Sequence, residues 1–372
     1  MEAGRRIRVL IVDDSAVMRS LLRAVICADS ALDVAGTAVD GASALESIES
    51  LRPDLVLLDV EMPNMDGLAT LKKLRARSHR MPVIMCSAAT QRGGRVTIEA
   101  LASGATDCVA KPANQISREE ALRTLSQDLL PKIHAFTAAA GTRTLQGLRE
   151  LPSVPETAHS RSQPLSVPNV LVIGVSTGGP AALDVLLPSL PAAFPLPVLI
   201  VQHMPELFTG LLAERLDRNC FLRVREASEG DPVRPGAIYL APGNRHMEVL
   251  PASCPRLAPT LHIHKGPLEN HCRPAVDVLF RSVSSVYGSG VIAVILTGMG
   301  SDGLAGCRVI RAQGGCVLAQ NLATSTVWGM PGAVANAGLA HRVLPLNAIA
   351  SEILRCVARS PFEGRELRES VV

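Results

Sequence analysis

Residues 8–15 read RVLIVDDS, an apolar run that stops abruptly at two aspartates and a serine. The run is strand-sized and shows no polar alternation, as a strand covered on both faces requires. Met18, Leu21, Leu22, Val25 and Ile26 then recur at helical spacing, and LDVAGTA (32–38) returns to strand character. The rhythm continues through DLVLLD (54–59), a helix carrying Leu68, Leu71 and Leu74, PVIMCS (82–87), a helix near 94–103, a short strand ending at Ala110 and a helix to about residue 134. Five strand–helix units predict a doubly wound parallel sheet, covered by helices on both faces.

Beyond it the pattern collapses. Residues 137–168 are rich in Ala, Thr, Ser, Arg and Pro without sustained apolar periodicity and predict an exposed tether, whose first part, Ala138 to Leu151, lacks prolines and can instead extend the preceding helix. A second alternation opens at NVLVIGV (169–175), with PVLIVQ (197–202) and VIAVILT (291–297) as further buried strands. Between them, LRVREA, GAIYLAP, RHMEVL and LHIHK, separated by Gly and Pro over 223–265, suggest a small antiparallel insertion. The expectation is α/β with two doubly wound parallel-sheet domains, at 7–134 and 169–360, joined by a linker at 135–168.

Composition excludes several classes. The 372 residues are 47% hydrophobic and 19% charged, and 37 Lys and Arg against 34 Asp and Glu leave a net charge of only +3. With nine aromatics in all, there is little to stack on bases and no counterion-driven affinity, so no nucleic-acid partner is expected. Every apolar run falls far short of the roughly 20 residues a spanning helix needs, so no membrane insertion is expected. Arg5, Arg6 and Arg8 are followed at once by Asp13 and Asp14 without a cleavage site, which points to a cytoplasmic protein. The nine cysteines form no CxxC pair and read as buried apolar side chains.

Ligands of such sheets bind past the carboxyl ends of the strands. In the first domain those positions hold Asp13 and Asp14, Asp59, Ser87, and Lys111 with Pro112. Three converging carboxylates repel one another unless a hard divalent cation lies among them, and an all-oxygen set suits Mg²⁺. Asp59 then has the surroundings of a nucleophile toward a phosphoryl group, with Lys111 neutralising its oxygens and Ser87 hydrogen-bonding it. Taken singly, Asp13, Asp14 and Asp59 also read as helix-capping or strand-ending residues. Together, IVDDS, LLDVEMPNMDG, MCSA and AKP resemble a response-regulator receiver domain. That resemblance makes Asp59 the phosphoacceptor and Ser87 and Lys111 the switch residues. By it Asp14, Asp59 and the Glu61 carbonyl bind Mg²⁺ directly, and Asp13 acts through water. DCVA, before Lys111, lacks the aromatic that many receivers carry near there.

GVSTGGP (174–180) places Ser176 on a glycine-rich turn between a strand and a helix. A Rossmann fingerprint needs Gly at that position and no P-loop lysine follows, whereas GxSxG is present as Gly174, Ser176 and Gly178. A helix-capping serine fits the pentapeptide equally well until partners are found. His203 follows the next strand and Asp302 follows the strand at 291–297, on the same sheet edge. His203 can take the Ser176 proton while Asp302 fixes the imidazole tautomer, and amides at Thr177 and Met299 are candidate oxyanion donors. His246, His262, His264 and His271 read as surface or rim residues.

GVSTGGP, VQHMP, HCRPAVDVLF, LTGMGSDG and VWGMPGAV, in that order after a receiver, resemble the chemotaxis protein-glutamate methylesterase (CheB) family over nearly the whole chain. The resemblance makes Ser176, His203 and Asp302 a catalytic triad that needs no cofactor for ester hydrolysis. It implies demethylation of glutamyl methyl esters on chemoreceptors with release of methanol, and deamidation of receptor glutamines. It also implies a receiver that occludes the esterase until a chemotaxis histidine kinase phosphorylates it. QNLATSTVWGMP departs from the family, which usually has acidic residues where Leu322, Ala323 and Thr324 stand. The alternative from another class is a receiver-linked adaptor whose second domain binds a partner without hydrolysis; labelling of Ser176 by a serine-directed reagent separates the two.

Overall fold

The computed structural model describes residues 5–88, 90–112, 117–146, 167–254 and 256–358, with the backbone alone for 137–146. In the first half, β1 (Ile7–Val12), β2 (Leu32–Ala38), β3 (Leu55–Asp59), β4 (Val83–Ser87) and β5 (Asp107–Ala110) alternate with α1 (Ala16–Cys27), α2 (Gly41–Leu51), α3 (Gly67–Ala76), α4 (Gln91–Ala102) and α5 (Arg118–Gln146). The strands form one parallel sheet in the order β2-β1-β3-β4-β5. Chain direction reverses across that sheet between β1 and β3, where a crevice opens at the carboxyl ends. β3 and β4 are buried throughout, which explains their uninterrupted apolar character. α5 continues to Gln146, into the stretch that the sequence assigns to the linker; residues 147–166 lie outside the described residues.

The second half comprises β6 (Val170–Val175), α6 (Gly179–Leu186), β7 (Val198–Gln202), α7 (Glu206–Asn219), β8 (Arg223–Glu226), β9 (Ala237–Leu240), β10 (His246–Leu250), β11 (Thr260–His264), α8 (Val276–Tyr287), β12 (Val291–Ile295), α9 (Leu304–Ala312), β13 (Cys316–Gln320), α10 (Met330–Asn336), β14 (Arg342–Leu344) and α11 (Leu346–Ala358). Seven strands make a parallel sheet in the order β14-β13-β12-β6-β7-β9-β8. β6, β7, β12 and β13 are wholly buried, and Val276, Leu279, Phe280 and Val283 form the buried face of α8.

The expected insertion is smaller than its sequence suggests. Only β10 and β11 pair antiparallel, whereas β8 and β9 extend the main sheet in parallel. A parallel crossover usually carries a helix. Here residues 227–236 cross without one, because Gly230 and Val233 donate their amides to the Leu261 and Pro259 carbonyls beside β11. Gly and Pro in that crossover therefore mimic hairpin punctuation.

The two halves are packed together. The α4 backbone comes so close to α7 that a methyl group on Gly94 would lie 2.6 Å from Leu211 Cδ1, and Arg95 pairs with Glu214 at 3.4 Å. Met299 and Val327 of the second half belong to the same apolar cluster as Leu125, Leu129 and Ile133 of α5.

Candidate active site

Ser176 lies at the centre of the second sheet, just past β6 and between β7 and β12, where chain direction reverses. Its amide donates to the Thr297 carbonyl at 3.0 Å, and its carbonyl accepts from Gly179, closing the strand-to-helix turn. Gly178 is left-handed at φ 78°, and a Cβ there would lie 2.4 Å from Thr326 Oγ1, so the turn requires glycine. Gly298 permits another close approach: a Cβ there would lie 2.7 Å from Ser176 Cβ.

β6 and β7 pair in parallel with Val175 opposite Gln202, and the His203 amide donates to the Val175 carbonyl at 3.1 Å. Ser176 and His203 thus stand side by side on neighbouring strands about 4.8 Å apart. His203 Nε2 lies 2.8 Å from Asp302 Oδ2. That contact leaves Nδ1 as the nitrogen available to take a proton. Among the described residues, no hydrogen bond joins Ser176 Oγ to His203 in this state.

Asp302 is almost wholly buried and accepts five hydrogen bonds. Oδ2 receives His203 Nε2 and the Val276 amide; Oδ1 receives Asn270 Nδ2 and the Asp277 and Gly303 amides. The carboxylate therefore caps α8 as well as the turn into α9. Burial pushes its pKa up, but His203 and the backbone donors outweigh this and hold it below the usual carboxylate value. Burial likewise pulls the His203 pKa down, yet Asp302 and Cys272 overcome it and push it up to about 9.

Four neighbours were not singled out in the sequence. Buried Gln202 donates Nε2 to the carbonyls of both Ser176 and His203, clamping the two strand ends. Asn270 bridges Asp302 and Asp277. Cys272, read as a core thiol, instead has its Sγ 3.6 Å from His203 Nδ1. Asp107 of β5 accepts from Thr177 Oγ1 at 2.7 Å, so the first half reaches into the serine turn. A polar residue directly before a strand-end histidine is the one signal that marks Gln202. Among the described residues, neither the Thr177 nor the Met299 amide has an acceptor, so both remain free to donate. His246, expected at the rim, is buried, with Nε2 2.8 Å from the Pro267 carbonyl.

The acidic pocket of the first half is also assembled. Lys111 Nζ lies 2.8 Å from Asp13 Oδ2 and 2.7 Å from Asp59 Oδ1. Asp13 and Asp59 are buried and Asp14 is exposed. Burial, together with the neighbouring Asp13, raises the Asp59 pKa against the opposing pull of Lys111. Ser15, not Asp13 or Asp14, caps α1. Glu61 donates its amide to Asp59 Oδ1 at 3.4 Å, and Ser87 Oγ is buried and donates to the Ala88 carbonyl. Carboxylate oxygens of Asp13, Asp14 and Asp59 lie within 4.8 Å of one another. Such a hard, all-oxygen set fits Mg²⁺. Among the described residues, no helix is long and apolar enough to cross a membrane.

A family model described as CheB methylesterase matches residues 171–353, and one described as response regulator receiver domain matches residues 9–123. A protein-glutamate methylesterase/protein-glutamine glutaminase of Nocardioides sp. is 48% identical over 355 residues, covering 95% of this chain and 96% of that one. A protein of the same name from Trichodesmium erythraeum is 46% identical over 352 residues, covering 94% and 99%. The crystal structure of the Thermotoga maritima CheB methylesterase catalytic domain is 41% identical, covering 50% of this chain and 98% of that one, with a TM-score of 0.49.

Proposed function

Because the chain belongs to the CheB methylesterase family and carries that family's receiver domain, we propose that Ser176, His203 and Asp302 hydrolyse glutamyl methyl esters of chemoreceptors under receiver control. The activity is that of a protein-glutamate methylesterase and protein-glutamine glutaminase. The observation that supports these residues best is the Asp302–His203 contact at 2.8 Å, set beside Ser176 at the strand switch point.

His203 Nδ1 takes the Ser176 proton as Oγ attacks the γ-carbonyl, and Asp302 on Nε2 stabilises the resulting imidazolium. The free amides of Thr177 and Met299 hold the oxyanion. Collapse expels methanol, protonated by His203, and leaves an acyl-serine. Water, deprotonated by the same ring, then releases glutamate. With a receptor glutamine as substrate the leaving group is ammonia. No cofactor enters this chemistry.

The receiver is taken as residues 7–134, the linker as 135–168 and the esterase as 169–360. Asp59 is the phosphoacceptor, with a chemotaxis histidine kinase as its donor. Asp14, Asp59 and the Glu61 carbonyl would hold Mg²⁺, with Asp13 assisting, and the bound ion would supply positive charge to the phosphoryl oxygens. Lys111 and Ser87 then engage the transferred group. Asp107 on Thr177 supports occlusion of the esterase, since the receiver occupies the side chain next to an oxyanion donor. A cytoplasmic location accords with cytoplasmic substrate segments and a kinase donor.

The test is methanol release from methylated receptor membranes, with and without a small-molecule phosphodonor. Wild type should respond to the donor, Ser176→Ala should release none, and Asp59→Ala should retain only the basal rate. Full turnover by Ser176→Ala would refute the assignment.

A further inference from the structure

The loop before α8 holds Cys272 in a fixed place. Glu269 and Cys272 exchange both backbone hydrogen bonds, at 3.1 and 2.8 Å, around Asn270 and His271, which are left-handed at φ 52° and 62°. This is a two-residue turn of the I′ kind. It is locked from both sides: Asn270 bonds Asp302 and Asp277, and Glu269 makes a two-pronged pair with Arg281. The turn delivers Cys272 Sγ to 3.6 Å from His203 Nδ1, and both residues remain partly accessible.

A tetrahedral Zn²⁺ bound by one thiolate and one imidazole holds its sulfur and nitrogen about 3.5 Å apart, given Zn–S of about 2.3 Å and Zn–N of about 2.0 Å. The observed separation matches that edge. Histidines that ligate metals usually donate their other ring N–H to a carboxylate, and His203 Nε2 already faces Asp302. Ligand atoms from His203, Cys272 and Asp302 lie within 4.8 Å of one another. We propose that His203 Nδ1 and Cys272 Sγ form a site for a soft divalent cation such as Zn²⁺, and that its occupation switches the esterase off.

Binding converts the Cys272 thiol to a metal thiolate and releases its proton to solvent. Solvent molecules complete the coordination. Nδ1, now a metal ligand, has no lone pair left for the Ser176 proton. The hard oxygen pocket at Asp59 and this soft N/S pair discriminate between cations, so Mg²⁺ serves the receiver without blocking the esterase. The inhibitory part rests on the triad reading above; the binding part does not.

Two readouts separate them in the full-length protein. Co²⁺ titration should give a thiolate-to-cobalt charge-transfer band that Zn²⁺ abolishes, and that is missing in Cys272→Ser and weakened in His203→Ala. The Glu248, His262 and His264 cluster on β10 and β11 has no thiol, so it cannot produce this band. Saturating Zn²⁺ should lower methanol release more than tenfold, reversibly on chelation. Cys272→Ser should keep its own metal-free rate when Zn²⁺ is added. A band that persists in Cys272→Ser, or equal inhibition of wild type and Cys272→Ser, would overturn the site. If wild type releases no methanol even without metal, the esterase reading fails while the cobalt spectrum still decides the site.

Discussion

Replacing Asp107 by Ala removes the receiver carboxylate that accepts from the serine turn, through Thr177 Oγ1 at 2.7 Å. The Asp107 side chain is 14% exposed, so solvent screens the contact only weakly. A hydrogen bond to a charged group contributes a net of about 1.5–3 kcal/mol. At about 1.4 kcal/mol per factor of ten, the lower figure shifts the balance from closed toward open about tenfold. The substitution should leave the receiver folded, because Lys132 keeps Asp128 at 3.3 Å and the Cys108 carbonyl at 2.6 Å. Basal methanol release by unphosphorylated Asp107→Ala should therefore rise about tenfold, without exceeding that of protein lacking residues 1–168. Thr177→Val keeps the backbone donor and deletes the hydroxyl, so Asp107→Ala should add almost nothing in that background. An unchanged basal rate in Asp107→Ala, with a large increase on truncation, would refute the latch.

Three further outcomes follow from the geometry and the charge of the site. Gly298→Ala puts a methyl group 2.7 Å from Ser176 Cβ and 2.5 Å from Met330 Sδ, so Ser176 must move; since a misplacement of about 1 Å costs on the order of 10²-fold, kcat should fall about that much with the fold intact by circular dichroism. With the His203 pKa pushed up to about 9, kcat/KM should rise about tenfold per pH unit from neutrality toward that value, and a flat profile above pH 7 would contradict it. The sign for stability is opposite: a raised histidine pKa stabilises the fold fully below its ordinary 6.5, and this contribution fades as pH climbs through about 9. Chemical denaturation at pH 6 and pH 10 measures that loss.

The strand ends carried most of the legible information. Asp13, Asp59 and Ser176 each directly follow or close an apolar run and His203 stands one residue past another, so uninterrupted strand-sized runs and the rule that ligands gather past carboxyl ends mark all four in the sequence. Asp302 was legible as a site residue, but not as the cap of α8, because Val276 and Asp277 lie some 25 positions earlier and no local pattern ties them to it. Cys272 was missed for a related reason: its role depends on two left-handed residues, Asn270 and His271, neither of which is glycine. Asp107 was invisible for a third reason. Which faces of two folded domains meet is decided by surface shape, as at Gly94 against Leu211, and periodicity reports only what is buried within each.

β5 joins the two halves of the regulatory question. Asp107 opens that four-residue strand and Lys111 follows it, so the latch and the phosphoacceptor pocket lie at opposite ends, about 13 Å apart. Lys111 is committed to Asp13 and Asp59, while Lys132 holds Asp107 at 3.4 Å. Coupling between two sites is reciprocal: if a phosphoryl group on Asp59 favours the open arrangement, opening must favour the phosphoryl group by the same factor. Asp107→Ala should then bind Mg²⁺–beryllofluoride, a phosphoryl mimic, more tightly than wild type, by up to the same tenfold seen in basal activity. Unchanged affinity beside a raised basal rate would separate the latch from the equilibrium that phosphorylation shifts. Control would then have to run through the α4–α7 contact, where Arg95 and Glu214 offer the next pair to break.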